Sequence, residues 1–156
     1  MKKKLIIIGI LFVYMFNLLG CGIFKLDTNE VLTPTEIKEI HEDERYTSAD
    51  EVALYIFTFA KLPDNYLTKQ EAIALGWQSE KGNLWDVIDQ MSIGGDRFGN
   101  REKLLPNGEG RIWYECDIDY QGGYRNAKRL VYSNDGLFYY TDDHYESFTE
   151  LTLTKE

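Results

Sequence analysis

The chain is too poor in cysteine for a disulfide framework, with two in 156 residues, where such scaffolds need several pairs. Its cysteines and two histidines are not spaced as a structural zinc requires. Positive charge is also scarce: 17 Lys and Arg stand against 26 Asp and Glu, a net of −9. Proteins that grip phosphate usually carry a basic footprint, so this balance argues, on its face, against work on nucleic acid. No Gly-rich phosphate loop, HExxH or GxSxG occurs, so the common cofactor and metal routes have no support. What the chain does have is apolar mass. Hydrophobic residues make up 44% and aromatics 14%, enough to build one core and to exclude wholesale disorder.

The charge is unevenly spread. Residues 1–25 hold Lys2, Lys3, Lys4 and Lys25 and no acids; residues 26–51 hold nine acids and two bases; residues 52–156 hold 17 acids and 11 bases, a net of −6. The N-terminal lysines precede an almost wholly apolar stretch, Leu5 to Phe16, too short to span a membrane. Leu18-Leu19-Gly20-Cys21 then resembles a bacterial lipobox. This layout predicts a signal peptide over residues 1–20, cleaved before an acylated Cys21. Two or more acyl chains would anchor the protein to the outer face of the bacterial cell membrane; without acylation it would be secreted. Residues 21–47 are expected to be an acidic tether, with His41 in a solvated polar stretch. Residues 48–156 are expected to form the domain. Cys116 lies in an alternating run and reads as a small buried filler, with a Cys21–Cys116 disulfide as the alternative.

Within the domain, helix signals come first. Ser48 with Glu51 and Thr68 with Glu71 form capping-box patterns; Pro63 is the expected stop of the first helix, and Gly76 of the second. Asn83 is placed to cap a short third helix. Strand signals follow at 91–98, 112–120, 129–132, 137–140 and 148–153, with a hairpin turn at Ser133-Asn134-Asp135-Gly136. Along 112–120, Ile112, Tyr114, Cys116 and Ile118 share one face, and Trp113, Glu115, Asp117 and Asp119 the other. Helices followed by antiparallel strands read as an α+β fold, N-terminal helices packed on a C-terminal sheet. Trp77, Trp113, Leu75 and Ile93 are core candidates.

The domain has one histidine, His144, a strand carboxylate, Glu115, and two arginines four apart, Arg125 and Arg129. A carboxylate and an imidazole make a competent base and acid near neutrality. Clustered cations, with Lys69 among them, would neutralise a pentacoordinate phosphate. Arg125 and Arg129 are equally able to pair with Asp117 and Asp119.

Four stretches sharpen this reading: Lys61 to Trp77 (KLPDNYLTKQEAIALGW), Ser92 to Glu102 (SIGGDRFGNRE), Tyr120 to Tyr132, and Thr141 to Thr149 (TDDHYESFT). In this order, and without gaps from about Ser48 to Leu151, the chain resembles the barnase-like guanyl-preferring ribonucleases of bacteria. The resemblance implies that residues 48–156 are a ribonuclease domain of that fold. It implies that Glu115 is the general base on the ribose 2′-OH and His144 the general acid on the departing 5′-oxygen. A 2′,3′-cyclic phosphate forms and is then hydrolysed. Lys69, Arg125 and Arg129 surround the phosphate, and Asp117 braces the arginines. No metal or cofactor is implied.

The resemblance also assigns a guanine loop. Glu102 accepts from the guanine N1–H and amine, Arg101 suits the O6 side, Asn100 shapes the loop, and Phe98 and Tyr145 supply aromatic contact. Gly99 stands where a familiar relative has serine, which suggests a looser loop. Arg111 with Asp135 matches a structural ion pair. The implied partners are RNA and a barstar-like acidic inhibitor, bound by a monomer. An acidic domain should associate slowly with RNA and steer such an inhibitor poorly. The alternative is a lipid-anchored, non-catalytic RNA- or inhibitor-binding protein on the same fold.

Overall fold

In the computed structural model, which describes residues 39–153, the first helical signal becomes α1 (Ala49–Phe59), burying Val52, Ala53, Tyr55 and Ile56. The export segment, Cys21 and residues 21–38 of the expected tether lie outside the described residues. Ser48 sits at the N-cap, but its hydroxyl donates to Glu51 Oε2 (2.7 Å) and does not cap the backbone. The helix ends before Pro63. Ala60 turns left-handed (φ 56) and donates its N–H to Ile56 O (2.8 Å). Proline disfavours helical backbone in the residue before it, so Leu62 could not have continued the helix.

The second capping box forms in full at α2 (Lys69–Ala74): Glu71 N–H donates to Thr68 Oγ1, and Thr68 N–H to Glu71 Oε2. Gly76 (φ 103) reverses the chain after it. Leu75 is not core; it is 52% exposed, and Trp77, only 5% exposed, fills the apolar pocket instead. A 3-10 turn (Ser79–Lys81) leads to α3 (Leu84–Val87). Asn83 does not cap α3. It accepts from Gln78 N–H and donates to Gly76 O, closing the preceding loop. Trp85 meets Tyr120 edge-on and donates its ring N–H to Met91 O (2.9 Å).

The strands are β1 (Tyr66–Leu67), β2 (Ser92–Phe98), β3 (Trp113–Asp117), β4 (Arg129–Ser133), β5 (Phe138–Thr141) and β6 (Thr149–Glu150), side by side in chain order. All pairs are antiparallel except β1–β2. The α+β reading therefore holds, with β1 as an unexpected two-residue addition. Period-two alternation divides the sheet. Cys116, Leu130 and Phe138 pack toward α1 with Tyr55 and Ile56. Trp113 and Val131 pack on the other face with Leu105, Phe98, Tyr139 and Tyr145. Glu115, Asp117 and Arg129 share that second face. Cys116 is a buried free thiol, and its place explains Gly94. A Cβ on Gly94 would stand 2.6 Å from Cys116 Cβ and 2.7 Å from Tyr66 Cδ1. The register then slips between Gly94 and Asp96, with Gly95 at φ 89, so Asp96 joins the face of Glu115.

The folded unit reaches upstream of Ser48. Tyr46 is buried, and Ile40 packs against the same core. Asn65, buried, donates to Tyr46 O (3.0 Å) and accepts from Tyr46 N–H (3.3 Å). Tyr55 OH donates to Glu42 O, and Thr47 O accepts from Asp119 N–H. Replacing Asn65 with alanine removes both of these buried hydrogen bonds at once. Asn65→Ala should lower the unfolding free energy by about 2 kcal/mol, measured by urea denaturation, against a change within about 0.5 kcal/mol for an exposed control such as Gln70→Ala.

Candidate active site

Glu115, mid-strand on β3 and 7% exposed, is the centre of the second face. Each of its oxygens has a donor: Lys69 Nζ at 2.5 Å from Oε1, and Tyr145 OH at 2.5 Å from Oε2. Burial pushes the Glu115 carboxyl upward. The bonds from Lys69 and Tyr145, with the charges of Lys69 and Arg125, outweigh it and hold the group below its ordinary value. Tyr145 answers in the opposite sense: burial and the bond to Glu115 keep its phenol protonated far into alkaline pH.

Lys69 reaches Glu115 because the capping box fixes the first turn of α2. Its backbone N–H also donates to Asp96 Oδ2 (3.0 Å). Asp96 is the cross-strand neighbour of Glu115, and two carboxylates so placed repel. Lys69 binds both.

Two residues on, Asp117 is 1% exposed. Arg125 clamps it from Nε (2.8 Å, to Oδ2) and a terminal nitrogen (2.6 Å, to Oδ1). Arg129, directly across on β4, brings its Nε to 3.0 Å from Oδ1, off the line of a hydrogen bond. Its NH1 donates to the carbonyls of Asn126 (2.8 Å) and Lys128 (2.6 Å). Both arginines therefore converge on Asp117, while Asp119 takes Lys128 (2.8 Å). One carboxylate against two guanidiniums leaves this half of the site with one net positive charge.

Thr141, across from Arg129, starts the loop that carries His144 and Tyr145. Asp143 binds that loop together, accepting from Thr141 Oγ1, Ser147 N–H and Ser147 Oγ. The two Ser147 bonds and then that of Thr141 hold its carboxyl down at about 2. His144 and Tyr145 both have positive φ (58 and 76). His144 is exposed, its ring 4.9 Å from that of Tyr145. Tyr145 in turn stacks on Phe98 (5.2 Å, 27°).

Phe98 ends β2 and opens the turn with Arg101 and Glu102, both exposed. Asn100 is spent inside it: Nδ2 donates to Leu105 O (2.9 Å) and Oδ1 accepts from Leu105 N–H (3.1 Å). The left-handed positions are Asn100 (φ 41) and Lys103 (φ 57). Gly99 is not among them, and a Cβ there would meet only ordinary contacts, the nearest at 3.5 Å. The glycine is thus not required by the turn. Among the described residues no three His, Cys, Asp or Glu side chains are grouped as a metal site.

A buried strand carboxylate under a lysine, a carboxylate shared by two arginines, and a histidine loop beside them form one cluster. The sequence family described as ribonuclease matches residues 50–152. A ribonuclease of Bacillus intermedius is 50% identical over 124 residues, 80% of this chain and 76% of its own length. The chain belongs to the barnase-like microbial ribonucleases. A ribonuclease of Heyndrickxia coagulans is 55% identical over 102 residues, 65% of this chain and 94% of its own. The guanyl-specific ribonuclease St of Saccharopolyspora erythraea is 40% identical over 70 residues, 44% of this chain and 65% of its own.

In this ribonuclease the sequence pattern had singled out Lys69, Glu115, Asp117, Arg125, Arg129, His144 and Tyr145, and the fold gathers them on one face. The Arg111–Asp135 pair is present as a two-pronged contact, Nε to Oδ1 (2.9 Å) and NH2 to Oδ2 (2.7 Å). Asp96, Asn126 and Asp143 were missed. Asn126 donates to the carbonyls of Ile118 and Asp119 and accepts from Lys128 N–H, so it fixes the loop that aims both arginines. Only Asp96 left a trace, in the Gly-Gly-Asp sequence that makes a bulge.

Lys69→Ala removes the strongest donor and leaves burial less opposed, so the Glu115 carboxyl should titrate at higher pH than in the parent. Tyr145→Phe should move it the same way by less. An NMR titration of the Glu115 carboxyl checks both. In the parent the folded value is depressed, so Glu115 stabilises the fold above the unfolded carboxylate range, and this contribution is lost as pH falls through the folded value. Lys69→Ala should weaken that acid dependence.

Proposed function

We propose that this protein is an endoribonuclease that cuts single-stranded RNA after guanosine. The observation that carries the reading is the Glu115 carboxylate: buried, yet held ionised, one strand from a net-positive arginine pair. Glu115 takes the proton of the ribose 2′-OH as the 2′-oxygen forms its bond to phosphorus. The bond from phosphorus to the 5′-oxygen breaks, and His144 gives that oxygen its proton. The products are a 2′,3′-cyclic phosphate and a free 5′-hydroxyl. Water then opens the ring with the two roles exchanged, giving a 3′-phosphate. Lys69, Arg125 and Arg129 stabilise charge that grows on the phosphoryl oxygens, in a site whose donors are already placed.

The attacking group belongs to the substrate, so no metal is needed to make a nucleophile, and DNA, which lacks the 2′-OH, is not cut. Base preference is assigned to the turn after β2. Glu102 accepts from the guanine N1–H and amine, Arg101 lies toward O6, and Phe98 and Tyr145 give the aromatic surface. Asn100 contributes by closing the turn on Leu105 rather than by touching the base. The guanyl specificity named for the Saccharopolyspora relative supports this choice.

The full chain should cleave a GpU dinucleotide, with a bell-shaped dependence on pH. The rising limb belongs to Glu115 and lies below the usual carboxylate range, since its pKa is lowered. Glu115→Ala and His144→Ala should each lower kcat/KM by about 10²–10⁴-fold. Equal rates in parent and variants would refute the mechanism, and an inactive parent would favour a binding protein. Export with acylation at Cys21 is part of the same proposal. Mass spectrometry of the mature N-terminus in the producing bacterium should find a chain starting at an acylated Cys21.

A further inference from the structure

The face of the sheet that packs on α1 carries features the reaction does not use. Arg97, Tyr114, Tyr132 and Phe138 are cross-strand partners in one row over β2, β3, β4 and β5. Neighbours in such a row have Cβ atoms about 5 Å apart. The rings of Tyr114 and Tyr132 stack at 5.6 Å and 25°, both half-buried. Above them opens a cleft of about 700 Å³, closed on its far side by Ile56, Phe57 and Lys61. The charges around it are largely neutralised in pairs. Lys61 holds Glu42 at 3.0 Å, and Arg111 holds Asp135 at 2.7 Å. Arg97 does not line the cleft; it stands beyond Tyr114 at the end of the row, exposed and with no ion-pair partner among the described residues.

Arg97 also lies next to the base-recognition turn. It precedes Phe98 on β2, and alternation sends the two side chains to opposite faces. β1 pairs with β2 only at Ser92 and Ile93, so that edge of β2 has no further sheet partner among the described residues. Leu62, Thr68 and Lys69 approach that edge at Gly95 and Asp96, so a strand bound by its guanine at Phe98–Glu102 would pass over it at Arg97 and Phe98. The scissile phosphate lies on the 3′ side, toward Arg125 and Arg129, so the 5′ flank is the part free to do so.

We infer that the Tyr114–Tyr132 row with Arg97 is a second RNA site, which takes the nucleotides on the 5′ side of the bound guanosine. A base stacks on Tyr114, and Arg97 meets the phosphate between that base and the guanosine. Stacking on an aromatic beside a cation is how single strands are held without sequence preference. Charge decides between occupants: a purely apolar guest would use the rings and gain nothing from Arg97. The inference rests on the ribonuclease reading above, and its test separates the two.

The full chain, Tyr114→Ala and Arg97→Gln are compared on GpU, on a 3′-extended GpUpApA and on a 5′-extended ApApGpU. Tyr114→Ala should lower kcat/KM on the 5′-extended substrate about fivefold or more, the equivalent of about 1 kcal/mol of stacking. GpU and the 3′-extended substrate should be cut as by the parent, which also shows the variant is folded. Arg97→Gln should act on the same substrate alone and reduce the slope of its log-rate against log-salt by about 0.7, one single-strand phosphate contact. Tyr114→Phe should keep parent rates. If either Tyr114→Ala or Arg97→Gln affects the 5′-extended substrate no more than GpU, the site is refuted. If the parent cuts none of the three, the ribonuclease reading fails, and this site fails with it.

Discussion

The buried Asp117 carboxylate is the constraint on which this structure depends most. A charge 1% exposed is tolerable only if paired and hydrogen-bonded. Asp117 recruits Arg125 from the loop before β4 and Arg129 from β4 itself. Tyr66, near the start of β1, donates its hydroxyl to the Asp117 carbonyl (2.8 Å). One residue thus ties together β1, β3, β4 and the 118–128 loop. Removing one member of such a pairing typically costs about 3–5 kcal/mol, because the other charge stays buried. The arginines are therefore fixed before any substrate arrives, which is what a preorganised anion site needs.

This arrangement reconciles an acidic domain with a polyanionic substrate. The net of −6 over residues 52–156 acts from a distance and is screened beyond about 8–10 Å at ordinary salt. Inside the cluster the arithmetic is local. Lys69 stands against both Glu115 and Asp96, while on the other side two arginines face Asp117 alone, so the positive charge is confined to the arginine half. The long-range field lowers the frequency of encounter, whereas the short-range field decides what is held once contact is made. Net charge alone was thus a poor guide to function, because it sums exposed carboxylates with the few buried pairs that set the local sign.

The parts legible in the sequence were those governed by local rules. The Thr68–Glu71 box, the 133–136 hairpin and the alternation of β3 follow from spacing, and so does the shared face of Glu115 and Asp117. The parts that were not legible depend on contacts far along the chain. α1 ends at Phe59 with a left-handed Ala60, ahead of the stop that Pro63 sets, and no glycine marks that turn in the sequence. Leu75 is exposed because Trp77 occupies the apolar site. Asn83, a plausible cap, is more useful closing the 76–78 loop. Tyr46 seemed to belong to an acidic, weakly apolar stretch, yet its backbone meets Asn65, nineteen residues later. Asp96 and Asn126 look like ordinary surface polars until the bulge at Gly94–Gly95 and the loop after Asp117 are in place.

The His144 loop shows how strain and chemistry are joined. Two successive non-glycine residues with positive φ cost about 1–3 kcal/mol each, so the surroundings must impose them. Asp143 does so from below with three hydrogen bonds, and Tyr145 from above, through Phe98 and Glu115. Both oxygens of Glu115 already accept a donor, from Lys69 and from Tyr145, yet an ionised carboxylate has about four acceptor sites. In the proposed reaction, the ribose hydroxyl would therefore meet Glu115 with both donors in place, and the bond from Tyr145 would keep holding the loop that carries His144.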